Sequence, residues 1–312
     1  MRKTLFLLSL VATMRAVAGA SAVDAFSAAL TASIVRRRGS FWAVSQNGDG
    51  TETRFDSVGA LLSARGPVGG PASLAYWAAQ PATMDGVVGA GWERSSPLDL
   101  AFSASFLGRL RKLRDEGLGG GGGVRRCLHV GAGIGRETGV LLTAGGCATV
   151  DLLEPHAHFM AAAREVIPRE SLGFTFEVAA EAHEFGVARY DIVLLQWMTN
   201  YVSDGDLARV LARAADALRP GGAVLVKDNV SEHADGVHSV ALHHMIRSAA
   251  YLDAIVEVGA PSLVKIADEA QRPWVEGLFP VRMFAYVRAD DDGWVEAGAL
   301  RPWLEEVGVP AA

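Results

Sequence analysis

The chain has 312 residues, half of them apolar, enough for one large core or two small ones. Its 29 basic and 35 acidic residues leave a formal charge of -6, which argues against a nucleic-acid partner and suits a short basic peptide better. Two cysteines, Cys127 and Cys147, form no metal pattern and are expected as small core residues rather than a disulfide.

The chain opens with Arg2 and Lys3 before the apolar run Thr4 to Ala12, and Ala20-Ser21-Ala22 offers a small-residue cleavage site. Residues 1–22 therefore read as a secretory-type signal. The run is too short to span a bilayer and Arg15 interrupts it, so no stable membrane insertion is expected. Between Val23 and Ser45 the only acid is Asp24, and Arg36-Arg37-Arg38 adds the basic, acid-poor character of a transit peptide. A signal followed by such a segment, with Phe26 near the junction, is similar to the two-part plastid targeting sequence of algae with secondary plastids. Organelle or secretory entry is the expected destination, and a plain extension is the alternative. Residues 46–72 are rich in Gly, Ser and Asp and read as a linker carrying one short helix near Val58 to Ser63, so that 23–72 forms a transit-like segment and linker. The catalytic domain is expected over 73–290 and a tail over 291–312. The glycine run from Gly117 to Gly123 reads as a spacer.

After the spacer, Arg126-Cys-Leu-His-Val-Gly-Ala-Gly-Ile-Gly-Arg136 reads as a buried strand, a glycine turn and the start of a helix from Arg136 to Ala144. The helix N-terminus would face whatever binds there. A dinucleotide fingerprint needs G-x-G-x-x-G, and Arg136 occupies its third glycine position, leaving G-x-G-x-G. The next strand, Ala148 to Leu153, ends at Glu154, about 20 residues after the glycines, where an acid accepts from a ribose. S-adenosylmethionine has the ribose and lacks the pyrophosphate, and it fits this combination.

Strands and helices then alternate: a helix over His156 to Val166, a strand near Phe174 to Val178, and a fourth strand over Tyr190 to Gln196. A helix over Asp204 to Leu218 leads through the turn Arg219-Pro-Gly-Gly222 into a fifth strand, Ala223 to Asp228. A helix near Val240 to Leu252 and strands near Leu263 to Ala267 and Val281 to Val287 complete the pattern. This predicts an α/β fold with a doubly wound, seven-stranded, Rossmann-like sheet ending in a hairpin, the plan of class I methyltransferases.

Four segments together resemble the α-N-terminal protein methyltransferases, which modify proteins beginning Xaa-Pro-Lys. Tyr76-Trp77 with Pro81, Thr83, Gly86 and Gly89 is similar to that family's N-terminal helical lid, continued by Asp99 and Phe106-Leu107. Gly131 to Arg136 resembles its cofactor loop, Leu195-Gln196-Trp197 its fourth strand end, and Lys227-Asp228-Asn229 its fifth. The resemblance implies S-adenosylmethionine held by Trp77, Gly131, Gly133, Arg136, Glu154 and Gln196, with Arg136 on the methionine carboxylate. It implies a protein N-terminal peptide as partner, facing Trp197, and Asp228 and Asn229 as the catalytic pair. It also implies a cytoplasmic or nuclear location, at odds with the targeting-like N-terminus.

Three positions depart from the family. Its Asp-Ser-Ser-Val-x-Arg segment is replaced by Gly236-Val-His-Ser-Val-Ala-Leu242, so that its acid and arginine are expected to be missing. Tyr201 stands where the family has a histidine and Phe279 where it has a tyrosine. Tyr201 and His238 are therefore expected on the substrate side, and Asp235, His243 and His244 are further candidates to replace the lost acid. His233, His238, His243 and His244 lack accompanying metal-ligand spacing, and no metal is expected. A protein that binds the cofactor without transferring a methyl, or a methyltransferase of a small molecule, are the alternative readings.

Overall fold

The computed structural model describes residues 29–30, 32–33, 41–47, 51–66, 69–117, 125–233, 235–241 and 243–291. The signal-like segment 1–22, the triple arginine, nearly all of the glycine spacer and the tail beyond residue 291 lie outside the described residues.

The seven-stranded sheet has the order β10-β11-β7-β6-β3-β4-β5. Its strands are β3 (Arg126–Val130), β4 (Thr149–Leu153), β5 (Leu172–Phe176), β6 (Tyr190–Gln196), β7 (Leu218–Asn229), β10 (Leu263–Ala270) and β11 (Val281–Arg288). The pairs β3 with β4 and with β6, β4 with β5, and β6 with β7 are parallel, while β11 runs antiparallel to both β7 and β10. This is the expected architecture with its terminal hairpin. Both faces are covered, so the strands are apolar throughout: in β6, Val193 and Leu195 join one core cluster, Ile192 and Leu194 the other.

Helices α4 (Ser96–Gly117), α5 (Thr138–Thr143), α6 (Ala157–Val166), α7 (Asp204–Ala217) and α8 (Ala249–Gly259) flank this sheet, and three shorter ones, α1 (Val58–Arg65), α2 (Pro71–Ala78) and α3 (Met84–Val88), precede them. Local chemistry sets their starts. Ser203 caps α7 by accepting from Asp206 N at 3.1 Å, and Asp204 and Asp206 oppose the positive end of the helix dipole. Its inward residues Leu207, Val210, Leu211 and Ala214 fall at helical spacing.

Three expectations are corrected here. Residues 42–55, read as transit-like segment and linker, form two strands, β1 (Trp42–Gln46) and β2 (Glu52–Phe55), while the short helix expected near Val58 to Ser63 is present as α1. They extend a second sheet of order β2-β1-β8-β9, in which β8 (Gly236–Ala241) runs parallel to β1 and β9 (His244–Ile246) closes the far edge. Second, the helix expected from Val240 begins only at Ala249, where Ser248 caps it, because Gly236 to Ala241 form a strand whose partner, β1, lies far away in the chain. Third, Cys127 and Cys147 are paired in a disulfide; Cys127 lies in β3, Cys147 just before neighbouring β4, and their Cα atoms are 6.0 Å apart, within disulfide range.

Candidate functional site

Strand order reverses between β3 and β6, and ligands of open α/β sheets bind beyond the carboxyl ends of strands at such a point. A cleft opens there, lined from the loop after β3, the end of β4 and the end of β6. The loop after β3 forms one lip. Gly131 has φ +69°, and a Cβ on it would stand 2.9 Å from Met198 Cβ, so only glycine fits. At Gly133, with φ +54°, a Cβ would meet no atom nearer than Val87 Cγ1 at 3.9 Å, and the position faces the open cleft. Glu154, at the end of β4, accepts from Gly133 N at 2.9 Å, so the acid and the glycine loop fix each other.

Beneath the loop lies a buried charge network. Lys227, fully buried in β7, is 2.5 Å from Asp99 Oδ1 and donates to the Asp99 carbonyl at 2.8 Å and Ser103 Oγ at 2.7 Å. Arg136 donates to Asp99 Oδ2 at 2.7 Å and lies 4.6 Å above the Trp197 ring, a cation–π contact. Gln196 Nε2 donates to Asp99 at 3.0 Å and to Glu137 at 2.8 Å. Burial pushes the Asp99 carboxyl up, but Lys227 and Arg136 outweigh it and the net shift is down; at Glu137 burial wins and the carboxyl rises to about 7. Burial also lowers the Lys227 ammonium, so Arg136, which alone of the two cations lines the cleft, is the group suited to an anionic ligand.

The opposite wall is aromatic. Trp77 on α2 meets the Tyr201 ring at 5.0 Å and Phe159 at 6.2 Å. Trp197 leaves β6 with φ +48°, a conformation unusual for a bulky residue, which turns the chain at the cleft. Tyr201 ends the 3-10 turn Thr199–Tyr201, and burial first, then the Asp228 charge, raises its phenol well above the ordinary range. Its ring stacks on His244 at 4.6 Å, and His243 stacks on Tyr76 at 3.9 Å.

Trp77, Gly131, Gly133, Arg136, Glu154, Gln196, Trp197 and Tyr201 therefore meet in the cleft, as expected. Asp228, Asn229 and His238 are not among its lining residues. Asp228 is a brace: its carboxylate accepts from Thr199 N at 2.9 Å, Thr199 Oγ1 at 2.6 Å, Asn200 Nδ2 at 2.8 Å and Asn229 N at 2.9 Å, which leaves no ready lone pair for an amine. Burial nevertheless pushes it up to about 6. Asn229 donates to the Phe279 carbonyl at 3.0 Å, while its own carbonyl accepts from Asn200 Nδ2 at 2.9 Å. His238 lies in the second sheet, 3.5 Å from Glu52 Oε1, with its ring 5.1 Å from Phe279.

Several residues escaped sequence reasoning. Arg247, expected to be absent when the family segment is matched to Gly236–Leu242, follows His243-His244-Met245-Ile246; buried, it donates to the carbonyls of Thr199 at 2.6 Å and Val202 at 2.8 Å and pairs with Asp204 at 2.7 Å. Glu137, His129 and His156 also line the cleft. Lys227 inside the apolar run Val224-Leu-Val-Lys was the readable signal of the network, since a charge in a central strand requires a buried partner.

The cleft fits S-adenosylmethionine. The position facing Gly133 is open, and among the described residues Gln196 Oε1, Glu137 Oε2 and Trp197 Nε1 are buried polar atoms without a hydrogen-bond partner. Over residues 71–287 the chain matches the family described as AdoMet dependent proline di-methyltransferase. It is similar to alpha N-terminal protein methyltransferase 1 of Arabidopsis thaliana, 32% identical over 217 residues that cover 68% of this chain and 77% of the relative. The protein of the same name from Schizosaccharomyces pombe is 31% identical over 69% of this chain and 94% of its own length. A solved SAM-dependent methyltransferase from Leishmania major superposes with a TM-score of 0.66 at 26% identity, covering 78% of this chain and 95% of that one.

Proposed function

The chain belongs to the AdoMet-dependent proline di-methyltransferases, and from that membership we propose that it methylates the α-amino group of proteins beginning Xaa-Pro-Lys. It is an S-adenosylmethionine-dependent methyltransferase with the class I fold. The observation that carries the acceptor reading is the aromatic wall of Trp77, Trp197 and Tyr201, which shares one cleft with the glycine loop and Glu154.

S-adenosylmethionine supplies an electrophilic methyl group on a sulfonium. The chain's own task is to hold an uncharged amine in line with that methyl and to keep water out. Glu154 accepts from the ribose, Arg136 holds the carboxylate, and Gln196 orients the methionine end. Trp77 closes the cleft from α2. A free α-amino group has a pKa of about 7.7–8.0, so its neutral fraction near pH 7 requires no strong base. That agrees with Asp228 being spent on the Thr199–Asn200 turn. Asn229, the other half of the expected pair, stands beside that turn at the end of β7, outside the lining of the cleft.

Labelled S-adenosylmethionine incubated with peptides having free or acetylated Xaa-Pro-Lys ends tests the proposal. Label should enter the free peptide and not the acetylated one. Cofactor binding without label in any free peptide would transfer support to the non-transferring or small-molecule reading.

A further inference from the structure

His156 stands two residues after Glu154, at the N-terminus of α6. Its Nδ1 lies 2.8 Å from Glu154 Oε1, and its Nε2 lies 3.0 Å from the carbonyl oxygen of Leu74 in α2, the helix that carries Trp77. Its backbone N–H also donates to Glu154, at 3.0 Å. Both ring partners are acceptors: a carboxylate oxygen and a backbone carbonyl. A neutral imidazole has one N–H and can satisfy only one of them. The two ring contacts together require the imidazolium. His158, two residues further on, places Nε2 3.0 Å from the Gln80 carbonyl just beyond α2, so α6 ties that helix at two points.

We infer that His156, in its doubly protonated form, is a positioning residue that aims Glu154 at the cofactor ribose and fastens α2 over the cleft, so that cofactor affinity falls when His156 gives up its proton. The proton passes to solvent, and the one N–H that remains serves either Glu154 or Leu74. If it stays with Glu154, the Nε2 lone pair faces the Leu74 carbonyl and the helix is released. If it stays with Leu74, the Nδ1 lone pair faces the carboxylate and Glu154 is turned away.

The surroundings allow this titration to be read. Glu154 faces His156 from β4, His158 from its own helix at a ring distance of 5.9 Å, and Phe159 packs on it at 5.7 Å. Helix α2, Pro-Ala-Ser-Leu-Ala-Tyr-Trp-Ala, offers no charged side chain and only the Tyr76 phenol as a titratable one; Glu181 lines the same cleft from the 3-10 turn Ala180–Ala182. The Glu154 hydrogen bond raises the imidazole above its ordinary value, against burial, which lowers it. The raised value sets the sign: the latch is complete below the ordinary histidine range and is lost as pH rises through the folded-state value.

The inference rests on Glu154 being the ribose acceptor, and the test separates the two. S-adenosylmethionine affinity of the full chain is measured by calorimetry across about pH 6 to 9 for the wild type, His156→Gln and Glu154→Gln, a window that runs upward from the ordinary histidine range. Wild-type affinity should fall about tenfold across it, the loss of one charge-assisted hydrogen bond. His156→Gln should be weaker at low pH and lack that fall. Glu137 and the ligand's own amine titrate nearby and are common to both, so the difference between the profiles is the reading. Nitrogen NMR of the wild-type complex at low pH should show both His156 ring nitrogens protonated. Parallel profiles, or a singly protonated ring, with Glu154→Gln still weakened, overturn the role of His156 alone. Unchanged affinity in Glu154→Gln overturns the ribose assignment and this inference with it.

Discussion

Arg136 serves two partners in succession along one side chain: Asp99 beneath and, on the proposed reading, a ligand carboxylate in the cleft. Its planar fork allows both, and a lysine ammonium does not reproduce that geometry. Arg136→Lys should therefore weaken S-adenosylmethionine binding by about tenfold while leaving the fold intact, a result calorimetry will show. His129, below the loop, makes a second residue-level prediction. Its Nδ1 is 2.9 Å from Thr138 Oγ1, and burial, helped by Arg136, pushes its imidazole down to about 3. An unfolded histidine titrates near 6.5, so between those values the unfolded chain binds the extra proton. The contribution is complete above about pH 6.5 and is lost on acidification at about 1.4 kcal/mol per unit. Urea denaturation at pH 7 and pH 5 should show about 2 kcal/mol more loss in the wild type than in His129→Gln. Equal losses would contradict the buried neutral state.

The second sheet is the element that connects the N-terminal region to the acceptor side. The Trp42 ring lies over Gly236, where a Cβ would come within 2.8 Å of it, and it also packs on His233 at 4.9 Å and receives Arg54 at 4.4 Å. Strand β1 holds β8, β8 holds β9, and His243 just before β9 and His244 at its start support Tyr76 and Tyr201. Val44→Pro removes a ladder donor and places a ring in a strand with partners on both sides, and should loosen that strand locally. Hydrogen exchange should then quicken over residues 236–246, and peptide affinity should fall while cofactor affinity holds. Unchanged exchange there would show that β1 supports nothing. This sheet also marks where legibility ended. Tyr190 to Gln196 was readable to the residue because a short apolar run between turns has one good solution in a parallel sheet. Glu154 and the glycine loop were readable because their spacing reports a local strand, turn and helix. Strand β8 was not, since its partner Trp42–Gln46 lies at the far end of the chain and periodicity is local. The partners of Asp228 were hidden for the same reason: Thr199 and Asn200 are brought to it by the pairing of β6 with β7.

At the scale of the molecule, the family match over residues 71–287 covers the cleft but not the segment that props its far wall. Further upstream, Leu30 is buried in the core, Ser33 donates to Glu257 at 3.0 Å, and Phe41 packs edge-on against Tyr251 at 5.2 Å. Removal of the signal-like residues 1–22 leaves these contacts intact; a cut within the segment expected to be a linker does not. N-terminal sequencing of protein from its native cell should accordingly find the mature start before Leu30, and a start beyond Phe41 would contradict the packing. On the proposed function, this cleft delivers a protein's first nitrogen, rather than a lysine side chain, to the methyl group. Fragmentation mass spectrometry of a free Xaa-Pro-Lys peptide after reaction with the full chain and S-adenosylmethionine measures that directly. Every added methyl should sit on the α-nitrogen and none on the third-residue lysine; methyl groups on that lysine, or an unmodified peptide with the cofactor bound, would overturn the proposed acceptor.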